Sequence, residues 1–355
     1  MILQFGAGRF LRGFFDRFAS EAGRSGEVVV VQSTPGRRAE FINDHATEGY
    51  PVAIRGLADG QRVDDVTTVT SLSRAIVAAD DWAAVLAAAC DPTLDLIVSN
   101  GTEAAYVLDE DGGGVPATLP AKLAAVLVAR NAAGCEPVTI LPCELIERNA
   151  DRLHELVLEQ LTLDRQLDAR GYVNACSWRC NLVDCIVSDV PEDDPLAENP
   201  LAVQAEPFAL LAVEGGPLPI EHPAIRPVDD LGPIALRKVR ILNGVHTAMV
   251  AKFSAEHGDG SFETVQQALA DDTARRWVRD VLFEEIVPTI AERTEDAETF
   301  AETTLERFAN PFLSHKLADI ALNHEAKLQT RLKPTVEEFA EQFGRPPQRL
   351  AACLG

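Results

Sequence analysis

Unbroken apolar runs alternate with helix-like stretches through the first half of the chain. Residues 2–5 read as a short apolar strand that leads through a glycine-rich turn into a helix over residues 9–22. The run Val28-Val29-Val30-Val31 follows at the length of one crossover, which predicts two parallel strands with that helix between them. Further apolar strands are expected over 94–98 and 138–142, with Ala-rich helices over 82–89 and 121–130. This alternation predicts a doubly wound parallel sheet with helices on both faces, which binds ligands beyond the carboxyl ends of its strands. The texture changes at the acidic Pro-rich loop 191–195 and the turn-rich stretch 215–233. Helix formers then dominate, with helices expected over 236–253, 264–279, 280–294 and 311–328. Two domains follow, an α/β domain over 1–229 and a mostly helical one over 230–355. No internal repeat is visible, and the only biased segment is the acidic glycine run 109–114.

Charge narrows the possible partners. With 32 Lys and Arg against 55 Asp and Glu the formal net charge is -23, a field that repels nucleic acid and anionic membrane surfaces. An acidic small-molecule ligand must therefore meet a local cluster of Lys or Arg. No apolar run is long enough to span a bilayer, and the N-terminus lacks the pattern of a secretion signal, so a cytoplasmic protein is expected. The 7 cysteines are odd in number, and Cys176, Cys180 and Cys185 lack the spacing of a zinc site. Reduced thiols and no bound metal are expected.

Three groups of residues carry candidate chemistry. Gly6 and Gly8, between the first strand and the first helix, can let the backbone approach a pyrophosphate, although Leu11 stands where the third glycine of a dinucleotide fingerprint belongs. The second strand ends in Gln32-Ser33-Thr34, followed by Arg37 and Arg38, so the usual acidic partner for the ribose is missing; a 2′-phosphate site and a plain solvated turn both fit, and NAD is not separated from NADP. Lys238, Asn243 and His246 lie at offsets 0, 5 and 8 in one otherwise apolar helix. At about 100° per residue they fall at roughly 0°, 140° and 80°, on one broad face.

This last stretch resembles the signature helix of the polyol-specific long-chain dehydrogenases, the mannitol dehydrogenase family. Other blocks are similar to the family in the same order: Phe5-Gly-Ala-Gly-Arg-Phe-Leu-Arg12, Ser99-Asn-Gly-Thr-Glu103, Pro142-Cys-Glu-Leu-Ile-Glu-Arg-Asn149, Leu182-Val-Asp184, Arg307-Phe-Ala-Asn-Pro311 and Ile320-Ala-Leu-Asn323. The resemblance runs the whole chain and implies a Rossmann-like nucleotide domain followed by a helical catalytic domain. Cys143-Glu-Leu-Ile and the segment from Lys238 to His246 look most like members acting on sugar acids, which implies NAD-dependent interconversion of a keto-uronate, of the D-tagaturonate type, and an aldonate. It implies Lys238 as general acid/base, Asn243 and Asn149 as holders of the developing oxyanion, and His246 as the group that orients substrate hydroxyls. Asp184, Lys327 and Arg331 are implied at the substrate, the last two, four apart on a helix, as partners of its carboxylate. For the cofactor the resemblance implies Phe5, Gly6, Gly8, Arg9, Phe10, Gln32, Ser99, Asn100, Thr102 and Glu103.

Three departures set the chain apart from the resemblance. It ends at Gly355 in what resembles the middle of the helical domain, so that domain reads as incomplete and a non-catalytic nucleotide-binding remnant is an alternative. Cys185 replaces a usual arginine, and Asp319 stands where mannitol-specific members place an arginine against substrate. The latter disfavours mannitol, leaving other polyols or polyol phosphates as the competing substrates.

Overall fold

The computed structural model describes residues 1–111 and 113–355; within the acidic glycine run, Gly112 lies outside the described residues. The chain divides into two compact units. The first holds Met1–Ile54, Asp65–Ala205 and Ala209–Asp229; the second holds Arg55–Asp64, Glu206–Phe208 and Asp230–Gly355. The two short excursions into the second unit have no signature in a sequence read as two contiguous stretches.

The first unit is built on a parallel sheet. Strands β1 (Ile2–Phe5), β2 (Val28–Gln32), β5 (Leu72–Val77), β6 (Leu96–Ser99), β7 (Thr139–Pro142) and β8 (Ser177–Trp178) lie in the order β5-β2-β1-β6-β7-β8. All five pairings are parallel, with Phe5 opposite Val31 on one side and Ser99 on the other. The side-chain period of two explains why uninterrupted valines suit β2: Val28 and Val30 enter one core cluster, Val29 and Val31 the other, and helices cover both. Strand order reverses at β1, so a crevice opens beyond its carboxyl end. Nine of the strands among the described residues escaped the sequence reading: β5, β8 and the seven outside this sheet, among them β3 (Tyr50–Ala58). With β4 (Gln61–Val69), β10 (Val187–Asp189) and β11 (Val203–Ala205), β3 forms the sheet β10-β11-β3-β4; β9 (Asn181–Asp184), β12 (Leu210–Glu214) and β13 (Ile225–Val228) form the sheet β13-β12-β9.

The helix expected over 9–22 is two pieces, Arg9–Gly13 and Phe15–Glu21, broken at Phe14 with φ -117° and ψ -88°. The first piece is a turn and a half long. An anion at the glycine turn would therefore meet local backbone N–H groups more than an extended helix dipole.

The second unit is helical around one apolar cluster that includes Ile241, Val245, Met249, Phe300 and Leu332. Three of its helices contain a π turn, at Lys238–Asn243, Val281–Ile286 and Leu328–Leu332. The single helix expected over 311–328 is instead two short ones, Leu317–Ile320 and His324–Lys327, because Asn323 takes a left-handed conformation at φ 56° and interrupts the ladder. The stretch 264–279 likewise divides into Val265–Ala270 and Asp272–Asp280, each started by its own cap, Thr264 and Asp271.

One buried ion pair anchors this unit. Arg307 donates from Nε and Nη2 to both carboxylate oxygens of Glu206 at 2.9 and 2.7 Å, and its guanidinium lies over the Phe208 ring. The side chains of Arg307 and Glu206 are 3% and 1% exposed, so loss of one partner strands the other charge away from water. Arg307→Leu should lower the unfolding free energy by about 3–5 kcal/mol in a denaturant titration; a loss under about 1 kcal/mol would show that water reaches the pair.

Candidate functional site

In the first unit a cavity of about 780 Å³ opens at the strand-order reversal. Its walls are the glycine turn after β1, the loop after β2 from Gln32 to Arg38, and the loop after β6. Gly6 has φ +126° and a side chain there would meet the Asn100 carbonyl oxygen at 2.7 Å, so only glycine fits. At Gly8 a Cβ would enter open space with nothing within 4 Å, which leaves the backbone free to be approached by a ligand.

The loop after β2 is templated by Gln32. Its Nε2 donates to the carbonyls of Thr34 and Gly36 at 2.9 and 2.8 Å, and its Oε1 accepts from the Ala39 N–H at 2.7 Å. The carboxamide is thereby committed to shaping the loop. Arg37, Arg38 and Lys122 bring positive charge to the lining against the negative total. Arg37 is exposed and forks onto Glu40 at 2.6 and 2.8 Å. Lys122 is buried, which lowers its pKa, and donates to the Ala117 carbonyl at 2.6 Å.

Glu144 and Lys122 line this cavity without having been proposed for it from sequence, and Arg38, a candidate for a 2′-phosphate there, lines it too. Glu144 is 2% exposed and accepts from Ser99 Oγ at 3.1 Å, the Gly101 N–H at 2.9 Å and the Tyr106 hydroxyl at 3.0 Å. One carboxyl thus ties three points of the loop after β6 to the end of β7. Burial raises its pKa despite those three donors. An acid two residues past a buried apolar strand was the available signal.

Phe5, Gly6, Gly8, Gln32, Asn100 and Thr102 line the cavity, whereas Arg9, Phe10, Ser99 and Glu103 do not. Arg9 pairs with Asp189 at 2.5 Å, Phe10 stacks on Phe14 at 4.9 Å, Ser99 is spent on Glu144, and Glu103 is exposed on a short 3₁₀ turn. Asn149 needs a correction. Its Nδ2 faces the carbonyls of Pro142, Glu144 and Asn181 at 2.8, 3.2 and 3.4 Å, and its Oδ1 accepts from the N–H groups of Ala150 and Asn181. Both amide hydrogens are used to knit the backbone, so none is left for an oxyanion. Asp184 is buried at the end of β9.

In the second unit Lys238, Asn243 and His246 share a helix that is not uniformly α. Its segment Lys238–Asn243 is a π turn, preceded by the α-helix Gly232–Arg237 and followed by Gly244–Phe253. An i→i+5 turn holds nearly one extra residue, so each step falls from about 100° to roughly 80°. Lys238 and Asn243 then come within about 40° instead of 140°, and His246, three α steps on, returns to about 20° on the far side of Lys238. The π turn narrows a broad face into one stripe. Lys238 and Asn243 are half-buried, and the Asn243 carboxamide makes no hydrogen bond among the described residues.

His246 is 7% exposed, stacks on Phe308 at 4.1 Å and meets His315 edge-on at 5.0 Å. Its Nε2 is buried without a hydrogen-bond partner. Burial first, then the fields of His315, Arg307, Arg331 and Lys327, hold its pKa well below the usual imidazole range. Lys327 donates to the Ile320 carbonyl at 2.7 Å and Arg331 Nη1 lies 3.5 Å from the Thr247 hydroxyl. Burial lowers the pKa of both, and Arg331 lowers that of Lys327 further. Neither pairs with a carboxylate among the described residues. His315 joins this group without having been proposed from sequence, and Asp319 is exposed nearby in the chain. Among the described residues no group of His, Cys, Asp and Glu could hold a metal ion, and no helix is long and apolar enough to cross a membrane.

The depressed pKa of His246 has a stability consequence. Below about pH 6.5 the unfolded imidazole takes a proton that the folded one refuses, so the unfolded state binds more protons and stability falls as pH drops. His246→Phe keeps the stacking shape without the titration. Between pH 7 and 5 the native protein should lose about 1–2 kcal/mol more unfolding free energy than this variant. Equal losses in urea titrations would mean that the imidazole is hydrated.

Comparison with known proteins agrees with this construction. The family model for the mannitol dehydrogenase Rossmann domain matches residues 1–227, and that for the mannitol dehydrogenase C-terminal domain matches 230–355. The chain is 35% identical to an altronate oxidoreductase of Halalkalibacterium halodurans, over 99% of its own length and 73% of that protein. It is 34% identical to the altronate oxidoreductase of Bacillus subtilis, over 98% and 77%. Among solved structures, a D-sorbitol dehydrogenase in substrate-free form shares the fold with a TM-score of 0.82 at 21% identity, covering 99% of this chain and 78% of that one. The Pseudomonas fluorescens mannitol 2-dehydrogenase, in ternary complex with NAD and D-mannitol, does so with a TM-score of 0.77 at 19% identity, over 99% and 77%. With both halves matched by its two domains and relatives above 30% identity over most of their length, the chain belongs to the mannitol dehydrogenase family and is an oxidoreductase acting on CH–OH groups.

Proposed function

We propose that the protein is an NAD(H)-dependent reductase that interconverts a keto-uronate and the corresponding aldonate, of the D-tagaturonate and D-altronate type, with residues 1–229 holding the nucleotide and 230–355 the substrate. The observation that carries the substrate class is the pair Lys327 and Arg331. In a chain of net charge -23 these two cations lie within the field of His246, partly desolvated and without a carboxylate partner. Such a pair is costly unless an anion completes it. The names of the similar altronate oxidoreductases support the same class.

The first-unit cavity fits a dinucleotide. The glycine turn leaves room for a pyrophosphate against backbone N–H groups, and Arg38 and Lys122 offset its charge. When bound, the nicotinamide supplies or accepts the hydride. The chain's own groups do the rest. The Lys238 ammonium gives its proton to the substrate oxygen on reduction and removes it on oxidation. The uncommitted Asn243 amide donates a hydrogen bond to the same oxygen, with Asn149 excluded by its backbone bonds. His246 is kept neutral, so its orphaned Nε2 can pair with a substrate hydroxyl, and Lys327 with Arg331 holds the carboxylate. The seven free thiols accord with a cytoplasmic enzyme.

A substrate panel followed at the nicotinamide absorbance tests this reading. The keto-uronate should exceed neutral ketoses by about 100-fold in kcat/KM, and Arg331→Ala should raise KM for the uronate about 10- to 100-fold while leaving neutral ketoses unchanged. Lys238→Ala should cut kcat by about 100-fold or more with NADH binding intact. Equal use of mannitol or another neutral polyol by the native enzyme would overturn the carboxylate assignment.

A further inference from the structure

The proposed chemistry uses none of the seven free cysteines. Two of them, 45 residues apart in sequence, stand together. Cys90 closes the helix Trp82–Ala89, and Cys135 follows the helix Leu119–Ala132. Cys135 Sγ lies 3.6 Å from the Cys90 carbonyl oxygen, which brings the Cys135 thiol to the Cys90 residue itself. Arg130, 1% exposed, holds this arrangement. Its Nη1 donates to the Ala89 carbonyl and its Nη2 to the Glu136 carbonyl at 2.8 Å, so one guanidinium ties the residue before the first cysteine to the residue after the second. Its Nε donates to the Tyr172 hydroxyl at 3.0 Å, which itself donates to the Glu136 carbonyl at 2.8 Å. Both thiols are partly exposed, whereas Cys143, Cys176 and Cys180 are buried. Cys90 precedes β6 and Cys135 precedes β7, so the pair sits at the amino ends of parallel strands whose carboxyl ends carry the nucleotide cavity.

We infer that Cys90 and Cys135 form an oxidisable dithiol that a hydroperoxide converts into an intramolecular disulfide, a modification site separate from the redox chemistry proposed for the enzyme. One thiolate attacks the peroxide, the O–O bond breaks, and a sulfenic acid forms as the peroxide leaves as alcohol or water. The second thiolate attacks that sulfur, the S–O bond breaks, and the oxygen leaves as water with the remaining proton. Two thiols lose two electrons and the peroxide gains them. Burial raises the Cys90 pKa, so the reaction quickens toward alkaline pH. The product closes a long loop of the first unit and stabilises it by restricting the unfolded chain.

The test treats the full-length protein with hydrogen peroxide and maps its peptides without reduction. Titratable thiols in denaturant should fall from seven to five, with a Cys90–Cys135 cross-linked peptide absent from Cys90→Ser and from Cys135→Ser. The melting temperature should rise by several degrees and return on reduction, with NADH binding unchanged. Oxidation that leaves the cysteines as separate sulfinates, links Cys135 to Cys176 instead, or consumes no thiol would overturn the inference.

Discussion

A helix closed by i→i+5 hydrogen bonds for one turn carries one residue more than its axial length requires, and every side chain beyond that turn is rotated relative to those before it. At Lys238–Asn243 this rotation decides what the helix can do. In a uniform α-helix an ammonium and a carboxamide five residues apart would diverge by about 140°. With the π turn they fall in one stripe with His246. One side of the turn is packed: Ile241, Leu242 and Val245 belong to the apolar cluster, and Gly244 lies against the Arg331 carbonyl and the Leu332 side chain, in a second π turn. The segment that presents Arg331 thus abuts the one that presents Lys238.

Electrostatics follows from that packing. The chain is strongly acidic, yet around His246 the nearest fields come from Arg307, Arg331, Lys327 and a second histidine. Arg307 is neutralised by Glu206, which leaves Lys327 and Arg331 as the uncompensated charge. A neutral imidazole beside two cations suits the proposed anionic ligand, with a hydroxyl paired to the imidazole and a carboxylate to the cations in that proposal. In the first unit the same arrangement appears with opposite sign, where a buried carboxyl at Glu144 is satisfied by a serine, a backbone N–H and a tyrosine, and in turn fixes a wall of the cavity at the strand-order reversal.

Much of this was legible in the residues themselves. The valines of β2 and the glycine turn announce a parallel sheet because a strand buried on both faces has no polar position to offer. The family resemblance located the signature helix. Period-based reading could not see the π turn, since it assumes one rotation per residue, nor the break at Asn323, whose left-handed conformation carries no hydrophobic signal. In the two mixed sheets β4 is long but polar and mostly exposed, and β10 and β11 are three residues each, so none of these offers the apolar run that marked β1 and β2. Asn149 illustrates a different limit. Its residue type suits an oxyanion contact, but only the coordinates reveal that β7 and Asn181 have claimed its amide. Ser99 and Gln32 were expected at the cofactor from residue type, whereas in the fold the Ser99 hydroxyl is given to Glu144 and the Gln32 carboxamide to its own loop.

The most direct test removes the extra residue. Val239 is an exposed apolar residue inside the π turn, and deleting it allows the helix to close as a uniform α-helix. After the deletion, four α steps of about 100° leave Lys238 about 40° from Asn243 and seven leave it about 20° from His246, the same stripe, so kcat/KM for the proposed keto-uronate should stay within about 10-fold of the native value with cooperative unfolding and NADH affinity kept. A loss of about 1,000-fold in a variant that still folds and binds NADH would contradict the account, because alignment of Lys238, Asn243 and His246 on one stripe would then not be what turnover depends on.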